Sequence, residues 1–199
     1  MADFAIAKQR APVEVVSDGY CVLIVGPEKA RIHANPLFLS AASEPFRAMF
    51  EPEWREGDDL RSRADPAEIR LPEDNATALR LVCAVIHHEN DTIPHELPIH
   101  TLLDIAVTAD KYDCISALKF ASESWLCPDR DKASELLVLT AAAYLYRNAT
   151  AFRKITKKLI LIHNGPFAAI SCAEVEAVMD WRVFGEYRIR YFGRSSKHR

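Results

Sequence analysis

Apolar and polar positions follow three rhythms along this chain, and each predicts a different kind of element. Tyr20-Cys-Val-Leu-Ile-Val25 is a short apolar run bounded by Ser17-Asp-Gly19 and Gly26-Pro27, the pattern of an interior strand. Ala30-Arg-Ile-His-Ala34 returns after that turn, so the two runs predict a β-hairpin. Pro36-Leu-Phe-Leu-Ser-Ala-Ala42 and Glu44-Pro-Phe-Arg-Ala-Met-Phe50 come next. Both are too short to be stable helices alone, and both are apolar enough to need a shared core. Glu68-Ile-Arg-Leu71 alternates polar with apolar, as a half-buried strand does, and is placed in the same small sheet. Two stretches lack either rhythm. Residues 1–16 predict an N-terminal arm in which Val13-Glu-Val-Val16, after Pro12, adds an edge strand or waits for a partner. Residues 51–65 are highly charged, contain Gly57 and end at Pro66, and they predict an exposed loop.

Helical spacing dominates the remainder. Leu79, Val82, Cys83 and Ile86 fall at i, i+3, i+4 and i+7, predicting a helix that packs on the sheet. His87-His-Glu-Asn-Asp-Thr-Ile-Pro94 interrupts the pattern. Leu97-Pro98 leads into a second helix with Leu102, Leu103, Ala106 and Ala109 inward, and a third puts Ile115, Leu118, Ser122, Trp125 and Leu126 on its buried side. Cys127-Pro-Asp-Arg-Asp131 sets proline and three charges directly after apolar Trp125-Leu126, and is read as a domain boundary. Beyond it, Leu136, Leu137, Thr140, Ala143 and Tyr144 form one stripe, Phe152, Ile155, Leu159 and Ile162 form another, and Asn148 marks the turn between them. Asn164-Gly-Pro166 reads as a helix stop. Ser171-Cys-Ala-Glu174 has the spacing of a capping box opening a last helix with Val175, Val178 and Met179.

Composition narrows the class. A chain of 199 residues buries a sizeable core without staples. Its five cysteines, Cys21, Cys83, Cys114, Cys127 and Cys172, are odd in number and form no C-x-x-C, so a reduced, intracellular protein of cytoplasm or nucleus is expected. No stretch approaches the ~18 to 20 apolar residues that cross a bilayer, and no membrane association is expected. A formal charge of -3 argues against a whole-domain polyanion binder, while the basic excess sits at the C-terminal end.

Taken in order, Ser17-Asp18, Val22-Leu-Ile-Val25, Ala30-Arg-Ile-His-Ala34, Leu39-Ser40, Pro45-Phe-Arg-Ala-Met-Phe50, Leu71-Pro-Glu-Asp74 and Ala109-Asp-Lys-Tyr-Asp-Cys114 resemble the BTB/POZ domain. The resemblance covers roughly the first two-thirds of the chain and implies an α+β fold, a small mixed β-sheet capped by a cluster of α-helices, followed here by an all-helical extension. It implies no catalysis and no cofactor, but self-association and recruitment of other proteins. The implied layout is an N-terminal arm at 1–16, the BTB/POZ-like domain at 17–127, the helical extension at 131–185 and a basic tail at 186–199. The arrangement is similar to stand-alone proteins common in filamentous fungi. By the same resemblance, Leu37, Phe38, Ala41 and Ala42 are the positions at which the family's dimers pack their first helices, with Asp18 beside them. The alternative is that Leu37 and Ala41 are internal core and the chain is monomeric.

Two departures from the family pattern bear on partners. In the dimeric transcription-factor branch an aspartate pairs with a basic residue just after the His-Ala phrase; here Asp18 is present, but Asn35-Pro36 stand where the basic residue falls. Cullin-recruiting members carry an apolar-x-acidic triplet where this chain reads Thr101-Leu102-Leu103. A cullin scaffold nevertheless remains an alternative partner, through a surface of His87, His88, Ile93, Leu97, Leu102 and Leu103.

The remaining candidates for chemistry each have a plainer reading. His87, His88, Glu89, His95 and His100 are ordinary metal-ligand types, but their spacing is not H-E-x-x-H and Pro94 and Pro98 interrupt it; a solvated loop is preferred and no metal is expected. No serine or cysteine sits in a nucleophile motif and no glycine-rich turn cradles a phosphate, so no enzyme is expected. In Tyr187-Arg-Ile-Arg-Tyr-Phe192 aromatic and apolar residues alternate with arginine, which with Arg194 suggests single-stranded nucleic acid on Arg188, Arg190 and Arg194. A short edge strand with solvated arginines is preferred, because no second aromatic platform accompanies it. Arg153-Lys154 and Lys157-Lys158 lie opposite the Phe152/Ile155/Leu159 stripe, a solvated helix face open to an acidic partner.

Overall fold

The computed structural model describes residues 21–50 and 67–179. The arm, the charged stretch 51–65, Asp18 and the basic tail lie outside the described residues. The described residues divide into two compact units, one formed by those through Ile93 together with Tyr112–Cys114, the other by Pro94–Lys111 and those from Ile115 onward.

The first unit is built on a three-stranded mixed sheet ordered β2-β1-β3, with β1 at Cys21–Val25, β2 at Ala30–Ala34 and β3 at Glu68–Leu71. β1 and β2 pair antiparallel from Cys21↔Ala34 to Val25↔Ala30, and β1 and β3 pair parallel from Val22↔Glu68 to Val25↔Leu71. As the central strand β1 is buried at Cys21, Val22, Leu23 and Val25, which is why its sequence is a run and not an alternation. β3 keeps the alternation, with Ile69 and Leu71 inward and Glu68 and Arg70 outward. The hairpin closes through Gly26 and Lys29, both at positive φ (71° and 54°), with the Lys29 N–H donating to the Gly26 carbonyl at 3.1 Å. The helices α1 at Pro36–Ala42, α2 at Glu44–Met49 and α3 at Ala76–Ile86 complete the unit. Asn75 caps α3, its Oδ1 accepting from Ala78 N at 3.0 Å, and the predicted face of Leu79, Val82, Cys83 and Ile86 is buried.

The second unit contains α4 at Ile99–Lys111, α5 at Lys119–Trp125, α6 at Ala133–Leu145, α7 at Ala149–Ile162 and α8 at Ala173–Val178. α6 departs from the single stripe its sequence suggests. Every residue from Leu136 to Ala143 is buried, whereas Tyr144 is 47% exposed. α6 packs against α4, α7 and α8 together, so it is apolar all round, as an interior helix must be. Its hydroxyl at Thr140 is satisfied by the Leu136 carbonyl at 2.7 Å. α6 ends with Arg147 at φ 53°, the Asn148 N–H donating to the Ala143 carbonyl and the Arg147 N–H to the Tyr144 carbonyl, a Schellman closure without glycine. Asn148 then caps α7 through Ala151 N at 3.0 Å. Phe152, Ile155 and Leu159 of α7 are buried as expected, but Ile162, in the last turn, is 43% exposed. Two further boundaries are corrected. α5 begins at Lys119, leaving Ile115 half-buried in the preceding turn. α8 begins at Ala173 with Cys172 at its N-cap and no capping side-chain hydrogen bond, so the Ser171 capping box does not form.

These eight α-helices and the three-stranded mixed sheet make the described residues an α+β fold with a helical continuation. No helix among the described residues is long and apolar enough to cross a membrane.

Candidate functional site

The site grows from the way α1 is held. Asn35 Oδ1 accepts from Leu37 N at 2.9 Å and Pro36 opens the first turn, a favourable start for so short a helix. The Asn35 N–H donates to His87 Nε2 at 2.8 Å, and His87 Nδ1 faces the Cys83 carbonyl at 2.7 Å. A carbonyl only accepts, so Nδ1 carries the proton and Nε2 the lone pair; His87 is the neutral Nδ1–H tautomer. Burial holds its pKa below the ordinary histidine value, with the Cys83 carbonyl opposing in part. The C-terminal end of α3 is thereby tied to the N-cap of α1. Phe38 adds an edge-on contact, its ring 5.4 Å from that of His87 and 6.4 Å from that of His88.

The other end of α1 is fixed just as firmly. Ser43 ends α1 and caps α2: its Oγ accepts from Phe46 N at 3.1 Å and donates to the Tyr112 carbonyl at 2.6 Å. Phe46 stacks on Tyr112 with ring centroids 4.4 Å apart, and the Tyr112 hydroxyl donates to Asp74 Oδ2 at 2.9 Å. Burial, with the Asp74 carboxylate beside it, raises the Tyr112 pKa and keeps the phenol protonated. Between the two anchors α1 turns Leu39 fully inward and leaves Leu37 76% and Phe38 42% exposed, with Ala41 exposed and Ala42 half-buried. The reading of Leu37 and Ala41 as internal core is corrected: Leu39 fills that place. The result is an apolar face on a helix fixed at both ends.

The other predicted positions are distributed as follows. In the first unit His87 is buried, His88 is exposed at φ 61° in the α3 terminus, and Ile93 is half-buried. In the second unit Leu97, Leu102 and Leu103 are all buried, Leu102 and Leu103 to 1% exposure, and so add no open surface. Asp18, Arg188, Arg190 and Arg194 lie outside the described residues. Among the described residues no group of three or more His, Cys, Asp or Glu is placed to hold a metal ion. Burial pushes the Cys21 and Cys114 thiols up to about 12 and raises Cys83 as well, which leaves all three protonated and poor nucleophiles.

A BTB/POZ domain family model matches residues 17–125, more than half of the chain and a span that includes the whole α1 face. The chain belongs to the BTB/POZ domain family. No curated protein matches it. BTB/POZ domains are generally protein–protein interaction modules. Sequence reading missed the His87 link, which joins residues 52 positions apart and has no local signal. It also missed the exposure of Phe120 on α5 (83%) and Leu161 on α7 (71%). Leu161 had a usable signal, since helical spacing sets it among the cations of α7 and not on the Phe152 stripe.

The His87 link makes a pH prediction. The neutral imidazole accepts the Asn35 N–H, and a protonated one would set two N–H groups against each other. Because the folded pKa lies below the ordinary histidine value of 6.5, the contribution is complete above about pH 6.5 and is lost as pH falls through the folded value. The urea midpoint is therefore expected to drop between pH 7.5 and 5.5 by more in the native chain than in His87→Gln. Equal drops in the two proteins would remove His87 from this role.

Proposed function

We propose that this BTB/POZ chain is a non-enzymatic interaction module that self-associates through the α1 face of Leu37, Phe38, Ala41 and Ala42 and recruits further proteins. The domain spans 17–127 and the helical extension, 131–185, presents a second surface. One observation carries the reading. Leu37 and Phe38 are large, adjacent and open to water on a helix anchored at both ends, so a partner meets a preformed surface and little ordering entropy is lost on contact. Apolar burial supplies affinity there, and exposed charges such as Glu44 and Arg47 on α2 supply selectivity. The cullin-scaffold and nucleic-acid alternatives gain no support from a described residue. Four of the six positions considered for the cullin surface are buried, and the tail arginines lie outside the described residues.

A two-fold interface of standard size buries about 1,600 Å² and persists at micromolar concentration. Static light scattering of the full chain at roughly tens of micromolar is expected to give twice its 22.4 kDa mass. The mass of a single chain at that concentration would remove self-association from the proposal.

A further inference from the structure

Helix α7, fourteen residues from Ala149 to Ile162, carries Arg153, Lys154, Lys157 and Lys158 and no carboxylate. Its inner arc of Phe152, Ile155, Thr156, Leu159 and Ile160 is buried, and α7 packs on α6. On the outer arc Arg153, Lys154 and Lys157 are exposed. Lys158 is engaged, its Nζ donating to the Pro128 carbonyl at 3.1 Å and lying 3.5 Å from Asp131 Oδ1. The other three make no ion pair among the described residues. Leu161, 71% exposed, stands within this cationic arc because its helical spacing sets it between Lys157 and Lys154. Unpaired cations and the open Leu161 side chain therefore share one ordered face, while Ile162 lies about 100° further round the helix, beside Lys158.

We infer that the outer face of α7 docks an acidic amphipathic segment of a partner protein. Its carboxylates meet Arg153, Lys154 and Lys157, and its apolar residues cover Leu161. An anionic membrane fits less well, since the main apolar arc of α7 is already buried and only two aliphatic side chains remain to insert. Nucleic acid fits less well too, because α7 itself carries no exposed aromatic residue to stack on a base, and Leu161 has no counterpart on a phosphate backbone. The net charge of -3 does not oppose the contact, since screening confines the interaction to charges within about 8 Å at physiological salt. The inference rests on the chain being an interaction module, but not on its self-association through α1.

The test uses the full chain and a labelled synthetic peptide about five helical turns long, with glutamate along one face and leucine along the other. A scrambled peptide of the same composition is the control. Fluorescence anisotropy is expected to show binding that weakens about tenfold or more in Arg153→Glu/Lys154→Glu/Lys157→Glu and a few-fold in Leu161→Ser. The charge-reversed chain is expected to gain affinity for the lysine–leucine counterpart of the peptide, an outcome that a misfolded variant cannot give. Light scattering on the same variant separates the two readings, because its self-association is expected to be unchanged. No binding at about 100 µM, equal affinity in the native and reversed chains, or equal binding of the scrambled peptide each overturns the inference. So does tighter binding of duplex DNA, or of phosphatidylserine vesicles, through the same cations.

Discussion

Replacing Phe46 by alanine is expected to destabilise the first unit by about 3–5 kcal/mol, the largest stability effect of any single side chain considered. Phe46 is fully buried and lies between Tyr112, stacked at 4.4 Å, and Phe50, stacked at 6.1 Å. The surroundings have little freedom to close over the void. Tyr112 is held by its hydroxyl to Asp74 and by its carbonyl to Ser43, and Ser43 in turn fixes the start of α2. A loss of this size is a large fraction of the ~5–15 kcal/mol that holds a typical domain together. Urea unfolding should show a lower midpoint with an unchanged slope. Phe120→Ala is the matched control: its ring is 83% exposed, and the change should stay within about 0.5 kcal/mol. A Phe46→Ala cost below about 1 kcal/mol would mean that the site collapses freely and that the Ser43–Tyr112–Asp74 chain does not hold it open.

That chain of contacts links stability to the proposed interaction surface. Ser43 is both the end of α1 and the cap of α2, so what holds Phe46 in place also fixes the C-terminal end of the exposed face. His87 performs the same task at the N-terminal end. The two anchors differ in their response to conditions, because the Ser43 bonds do not titrate near neutrality whereas the His87 link is lost in acid.

Local signals were legible where local physics decides the outcome. The apolar run of β1, the alternation of β3 and the stripe of α3 each reflect how many sides of one element are covered, and a sequence carries that directly. The shortness of α1 and α2 was legible for the same reason. α6 was not, because a helix surrounded by three others has no polar face to set its period, and any stripe drawn on it is arbitrary. The candidate site was legible only in part. Leu37, Phe38 and Leu39 are adjacent apolar residues, and only the packing shows that Leu39 turns in while the other two turn out. The buried state of Leu102 and Leu103 was plain from their helical stripe, which sits poorly with the partner surface also drawn through them.

On the proposal of self-association through α1, Leu37→Glu combined with Phe38→Ser is expected to leave the chain a monomer, with a dissociation constant raised on the order of a hundredfold or more. Each substitution acts twice across a two-fold axis, so a single change removes two apolar contacts and sets two carboxylates close to one another. The fold should tolerate Leu37→Glu well, because that side chain is 76% exposed and its replacement opens little buried volume. Phe38→Ser also removes the ring contact with His87, and a modest cost of about 1 kcal/mol is expected from it. Leu37→Glu alone is therefore the cleaner variant, and both should be read by light scattering alongside Phe120→Ala, whose mass should not change. Peptide binding at the outer face of α7 should survive in the Leu37 and Phe38 variants, since the two surfaces belong to different compact units. If both variants keep the mass of the native protein, self-association does not pass through α1, and the exposed leucine and phenylalanine must be assigned to a different partner.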